Sequence, residues 1–214
     1  EIINEIGSSV CTVVDIKATE KTVRPKPPFT TSKLQQAAAN RLGFTSRKTM
    51  QIAQQLYEGV NIGSTRVGLI TYMRTDSVRI SQTAIDDVRK WLGENFTNEL
   101  PEAPIEYTVG KKAQDAHEGI RPTYTSYTPD SVKEYLTRDQ LRLYTIIWER
   151  FVSSQMAAAV LDTVTVDIEN NGYIFKAGGY VVKKQGYLAL YVEDKSDEDN
   201  QEPDSVNLTK LPKV

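Results

Sequence analysis

The residues best suited to chemistry lie in GLITYMRTDS, residues 68 to 77. An apolar, strand-like run, GLITYM, passes directly into RTDS, which adds charge and hydroxyls. If the segment is extended through Asp76, alternation places Tyr72, Arg74 and Asp76 on one face. Next-but-one neighbours on a strand stand roughly 7 Å apart, so Tyr72 and Arg74 can reach one phosphate together. Tyrosine is a poor nucleophile while protonated. With a reference pKa near 10, forming the phenolate at pH 7 costs roughly 4 kcal/mol. One charge-assisted hydrogen bond offsets roughly 1.5–3 kcal/mol, so an arginine helps without being sufficient. Its guanidinium fork also suits the non-bridging oxygens that gain charge when a phosphodiester is attacked. An ester between tyrosine and phosphate keeps the energy of the broken backbone bond, so the strand can be resealed without ATP. The pattern therefore suits reversible strand breakage better than hydrolysis. Taken alone, it also describes a buried tyrosine beside a structural Arg–Asp pair, the commoner arrangement in proteins.

A second segment of interest is AHEGIRPT, residues 116 to 123. His117 is the only histidine in the chain, and a lone histidine is most often structural or simply exposed. Here it stands with Glu118, Arg121 and Thr123, around a proline that ends regular structure. The spacing makes His117 and Arg121 neighbours on a helical turn. Protonated beside Glu118 or a DNA phosphate, His117 could bind a phosphate or move a proton.

The flanking sequence suggests how these segments are held. VCTVVDI, residues 10 to 16, is β-branched and reads as a strand. RPKPPF, residues 24 to 29, is a linker because its prolines suit neither helix nor central strand. Ser32 and Gln35 predict a capping box before KLQQAAANRL, and Gly43 stops that run. Ser46 predicts the start of RKTMQIAQQLYEG, with Met50, Ala53 and Tyr57 on one stripe and Gly59 at the end. This pair reads as two packed helices in preference to a major-groove reader. Ser81 opens a third helix whose buried face is Ile85, Val88, Leu92 and Phe96. Thr128 and Pro129 start a short helix at 129–136. Thr137 and Gln140 cap the next, where Leu141, Tyr144, Trp148 and Phe151 form a core stripe.

After residue 160 the period changes to two. TVTVDIE alternates, NNG at 170–172 reads as a hairpin turn, YIFKA returns, and YVV at 180–182 and YLALYVE at 187–193 continue as strands. The fold class expected is α+β. A helical domain over 32–158 is inserted into a mostly β domain made of 1–31 and 159–214.

Composition sets the class of partner. The chain has 214 residues, 39% hydrophobic and 25% charged, with no apolar run of membrane-spanning length. EIINEIGSSV lacks the pattern of a signal peptide, and a single cysteine, Cys11, excludes an internal disulfide. A reducing, cytoplasmic setting and no membrane partner are expected. Net charge is −2, but residues 193–204 hold seven acids and one base, leaving the rest near +4. The acidic run reads as a solvated loop, and the mildly basic remainder is compatible with DNA.

Together these segments resemble a known family. GLITYMRTDS closely resembles the active-site tyrosine motif of the type IA DNA topoisomerases. AHEGIRPT resembles that family's second motif, at the expected place downstream. PPFTTSKLQQAAANRLGF, residues 27 to 44, resembles the stretch preceding the tyrosine in bacterial members. The RP dipeptide is closer to bacterial topoisomerase I than to topoisomerase III, and reverse gyrase carries similar motifs. The likeness is strong over residues 24–160 and weak on the flanks.

The resemblance implies that Tyr72 attacks DNA and becomes linked to the 5′ phosphate, releasing a 3′ hydroxyl. It implies that Arg74 stabilises the phosphate, that Asp76 orients His117 or Arg74, and that His117 supports cleavage and religation. Arg121 is expected on the DNA backbone, with Glu118, Thr75, Ser77 and Thr123 as further contacts. The expected partner is DNA, mainly single-stranded, in the bacterial nucleoid. The family also has a Toprim domain with magnesium-binding acids. No matching D-x-D with strand context occurs in this chain, so no metal ligands are expected within it. The sequence reads as a monomeric central piece, a helical domain on a β arch and hinge, that needs the missing Toprim part and magnesium but not ATP. The alternative is a non-catalytic single-stranded DNA-binding module of the same fold. A tyrosine recombinase is disfavoured because its tyrosine lies near the C-terminus.

Overall fold

The structure, a computed structural model, describes Ile6, residues 10–107 and 117–191, and the backbone of 205–207. The acidic run at 193–204 and Ala116 lie outside the described residues. The chain divides into two compact units, and the fold class is α+β.

The first unit is built on β1 (Thr12–Val23), β4 (Ala159–Asn170) and β5 (Tyr173–Lys184), with β6 (Ser205–Asn207) at the far edge. The sheet order is β1-β4-β5-β6. β1 and β4 run antiparallel from Thr12↔Glu169 to Val23↔Ala159, although 135 residues separate the paired ends Val23 and Ala159 only in sequence. β4 and β5 are a hairpin whose turn places Asn171 at φ 50° and Gly172 at φ 81°. Both central residues at positive φ are what a two-residue hairpin turn requires, and NNG supplies them. YVV at 180–182 is not a separate strand but the continuation of β5.

The second unit, Pro25–Ala157 with the described segment Gly186–Tyr191, carries the helices. They are α1 (Thr31–Ala37), α2 (Ser46–Glu58), α3 (Gln82–Asn95), α4 (Pro129–Val132) and α5 (Arg138–Ser154). The capping box at Thr137 and Gln140 forms as the sequence predicts. The first helix differs: its cap is Thr30, whose hydroxyl accepts from the Lys33 amide, and not Ser32. The helix starts earlier because Thr31 is held by the segment after Tyr72, described below. A π-helical turn, Ala38–Leu42, then runs to Gly43 at φ 70°. For α2 the cap is Thr45, one residue before Ser46. On α3, Ile85, Val88 and Leu92 are buried as expected, but the fourth member is Ala84; Phe96 sits past the end of the helix.

Two further departures matter. A small hairpin, β2 (Val60–Ile62) with β3 (Thr65–Val67), follows α2 and has no counterpart in the sequence reading. YLALYVE is not a strand over its described part. Gly186, at φ 50°, turns the chain into a short 3-10 helix, Gly186–Ala189. The amide of Tyr191 donates to the Tyr187 carbonyl (2.9 Å), and both rings are buried. Tyr187 and Tyr191 are four apart, so the same apolar spacing that fits a strand also fits a helical turn. This segment therefore belongs to the helical unit rather than to the β unit in which 159–214 was placed.

Candidate active site around Tyr72

Three segments of the helical unit meet at Tyr72. The first is the end of α2. A Cβ at Gly68 would stand 2.7 Å from the Tyr57 carbonyl oxygen, so only glycine lets the chain pass this close. The next amide, Leu69, donates to the Leu56 carbonyl (2.8 Å). The second is the His117 segment. Ile70 bridges Pro122 antiparallel, Thr71 N–H donates to the Arg121 carbonyl (2.9 Å), and Thr123 N–H donates to the Leu69 carbonyl (3.0 Å). The third is the start of α1. Thr31 N–H donates to the Thr75 carbonyl (2.9 Å), its hydroxyl donates to the Met73 carbonyl (2.8 Å), and its Oγ1 accepts from the Thr75 amide (2.9 Å).

Because its polar groups go to three partners in turn, GLITYM is not a regular ladder strand, contrary to its strand-like sequence. Side-chain alternation survives nonetheless. Met73, Thr75 and Ser77 are buried, whereas Tyr72 is half-buried and Arg74 and Asp76 are exposed. The structure thus brings Tyr72, Arg74 and Asp76 to one outward side of the segment.

His117 joins them. Its ring centroid lies 5.4 Å from that of Tyr72, with the planes tilted by 42°. On the other flank, the Tyr57 ring meets Tyr72 edge-on, at 5.5 Å and 67°. Tyr57 was read from sequence as part of a buried stripe with Met50 and Ala53. The buried face of α2 is instead Thr49, Ile52, Ala53 and Leu56. Tyr57 falls beside that face and is 41% exposed. The correct stripe was available in the sequence, since Ile52 and Leu56 are better anchors than Met50 and Tyr57.

Several expected contacts are placed otherwise. Thr75 is 7% exposed and its Oγ1 accepts from the Ser77 amide (3.0 Å); Ser77 is fully buried and its Oγ accepts from the Arg79 amide (3.2 Å). Neither hydroxyl faces outward toward a phosphate. The Thr123 hydroxyl donates inward to the Gly68 carbonyl (2.8 Å). Residues 117–122 form no helix, so His117 and Arg121 do not share a helical turn. The register is fixed by Gly119 N–H to the Arg79 carbonyl and Ile120 N–H to the Phe29 carbonyl. Glu118 turns away from His117. It accepts from the Ser81 amide and pairs with Arg121 Nη2 at 2.5 Å. Arg121 also donates to the Pro122 carbonyl (2.9 Å) and its side chain is only 12% exposed, so in this structure it ties segments together. Burial raises the Glu118 pKa, but the bonds from Ser81 and the charge of Arg121 outweigh it and hold the carboxyl below its usual value. Neither Arg74 nor Asp76 has a hydrogen bond or ion pair to another described side chain, so the structure shows no contact from Asp76 to His117 or Arg74.

Among the described residues, no group of three or more His, Cys, Asp or Glu stands where it could hold a metal ion. They do not fit the magnesium that the resemblance implies. Among the same residues, no helix is long and apolar enough to cross a membrane.

This geometry can be set beside known proteins. A family model described as DNA topoisomerase matches residues 1–214. The chain belongs to this DNA topoisomerase family. It is 57% identical over 184 residues to DNA topoisomerase 1 of Treponema pallidum (strain Nichols), covering 86% of this chain and 25% of that protein. It also matches the structure of full-length topoisomerase I from Thermotoga maritima, with a TM-score of 0.73 and 38% identity over 91% of this chain and 32% of that one. The chain therefore spans about a quarter to a third of these relatives.

Proposed function

We propose that this chain supplies the nucleophile-bearing part of a type IA DNA topoisomerase, which cuts one DNA strand through Tyr72 and reseals it to relax negative supercoils. The observation that carries the reading is a half-exposed phenol presented with Arg74 on the outward side of a firmly anchored segment, with His117 against its ring.

The chemistry balances as a transesterification. Tyr72 Oη attacks phosphorus and loses its proton. The bond from phosphorus to the 3′ oxygen breaks, and that oxygen leaves as a 3′ hydroxyl after taking up a proton. The phosphate remains on the 5′ end, now esterified to tyrosine. Arg74, with its donors unengaged by other described side chains, meets the non-bridging oxygens as charge builds. His117 supports the proton balance or the phosphate. Resealing runs the same exchange backwards, so no ATP is consumed. Magnesium belongs, in this proposal, to the part of the relatives' length that this chain does not span.

The test uses a polypeptide that contains this chain together with the rest of the relatives' length. After incubation with single-stranded DNA and denaturation, a 3′-labelled strand should stay on the protein and a 5′-labelled one should not. Tyr72→Phe should abolish the adduct. An adduct that survives that change, or one formed with the opposite label, rules out the assignment.

A further inference from the structure

The Tyr72 ring is half-buried, so its backbone anchors do not by themselves fix where the phenol oxygen points. A ring in that position keeps a choice of rotamers unless something packs against it. Two rings do, Tyr57 and His117. They are not held alike. Tyr57 sits in the last turn of α2, next to the fully buried Leu56. Its own carbonyl lies in the close approach that demands Gly68, and Leu69 is bonded to the carbonyl of Leu56. The backbone carrying Tyr57 is thus tied, at Leu56 and at Tyr57 itself, to Leu69 and Gly68, a few residues before Tyr72. Between them, β2 and β3 fold back as a hairpin, which returns the chain to the helix end it has just left. The result is an edge-to-face contact between two tyrosines 15 positions apart, with geometry typical of a favourable aromatic pair. Tyr57 remains 41% exposed. An exposed aromatic kept against a reactive side chain does little for the core.

We propose that Tyr57 is a positioning residue for Tyr72: its ring edge fixes the side-chain rotamer from which the phenol attacks. The inference rests on the reading of Tyr72 as nucleophile. In-line attack needs the reacting oxygen held near its target, and a displacement of about 1 Å can cost about a hundredfold in rate. What Tyr57 supplies is shape. Phenylalanine can replace it and leucine cannot.

The experiment measures single-turnover adduct formation by the complete polypeptide at saturating single-stranded DNA, alongside DNA affinity. Tyr57→Leu should slow adduct formation about ten- to a hundredfold with affinity unchanged, and Tyr57→Phe should restore the rate. Wild-type rate in Tyr57→Leu overturns the proposal. So does a rate loss that merely follows lost affinity, which would make Tyr57 a base-stacking surface, or a Tyr57→Phe variant as slow as Tyr57→Leu, which would make its hydroxyl the acting group. A second measurement needs no activity. With the Tyr72 ring isotopically labelled in this chain, Tyr57→Leu should shift its ring resonances and broaden its rotamer distribution. Unchanged resonances also overturn the proposal. Tyr72→Phe run in parallel separates the two claims: if it still forms adduct, the nucleophile is misassigned whatever Tyr57 does.

Discussion

At the scale of single residues, the two arginines of the site divide the work that the sequence left joined. Arg74 is exposed and unpaired among the described side chains, whereas Arg121 is spent on Glu118 and the Pro122 carbonyl. Arg74→Ala should therefore lower adduct formation about a hundredfold, the usual loss for one donor to a developing oxyanion, with little change in the unfolding midpoint. Arg74→Lys should recover only part of this, because an ammonium cannot bridge two oxygens as a guanidinium does. Arg121→Ala should behave in the opposite way. It leaves a partly buried carboxylate with one partner fewer and should cost roughly 1.5–3 kcal/mol of stability in urea unfolding. If Arg121→Ala instead leaves stability intact and weakens DNA binding, the inward assignment fails. Glu118 gives the pH dependence. Its pKa is lowered in the folded state, so its stabilisation is present above the unfolded value and is lost as pH falls through the folded one. Unfolding midpoints followed downward from pH 5 should fall in the native chain, and Glu118→Gln should flatten that slope.

At the scale of elements, the site depends on a close crossing more than on any one helix. Gly68→Ala would push a methyl to within 2.7 Å of a backbone oxygen, and neither partner is a flexible side-chain end. The Tyr72 segment must then shift off α2, at a cost of about 1–3 kcal/mol for such overpacking. Adduct formation should fall with it, and a Gly68→Ala chain with unchanged stability and rate would show that the crossing has room for a methyl group. This crossing explains what could be read beforehand and what could not. The helix ends were legible to within a residue or two because caps and glycines are local signals: Thr137 with Gln140 forms as written, whereas Thr30 and Thr45 cap in place of Ser32 and Ser46. The outward side of Tyr72, Arg74 and Asp76 was legible from alternation alone. The partners of the segment were not, because its hydrogen bonds go to Leu56, Arg121 and Thr31, far off in sequence. The inward turn of Thr75 and Ser77 follows from the same alternation that exposes Arg74, so it could have been deduced. Tyr57 was missed because a stripe drawn through Met50 and Ala53 ends on it, while the better anchors Ile52 and Leu56 put it on the flank.

At the scale of the molecule, sequence order and packing part company at Gly186. The chain completes β5 and then returns to the helical unit, where the Tyr187 amide donates to the Ala157 carbonyl (2.9 Å) and Arg150 Nη1 donates to the Tyr191 hydroxyl (3.0 Å). Arg150 also lies over the Tyr191 ring, 5.3 Å from its centre, and donates from Nε to the Pro27 carbonyl (2.8 Å). A residue downstream of the whole β4–β5 hairpin thus helps to close the core that supports the Tyr72 site. The two tryptophans make this testable, since Trp91 and Trp148 both lie in the helical unit and are in edge-to-face contact at 5.0 Å. Tryptophan fluorescence therefore follows the unfolding of that unit and not of the sheet. Tyr187→Ala removes a fully buried ring and should lower the stability read by fluorescence by about 3 kcal/mol or more. Were residues 186–191 merely an extension of the sheet, the same substitution would leave the fluorescence transition where it was. A moved transition means that the helical unit cannot be cut out as a continuous piece ending at Ala157 without losing part of its own core.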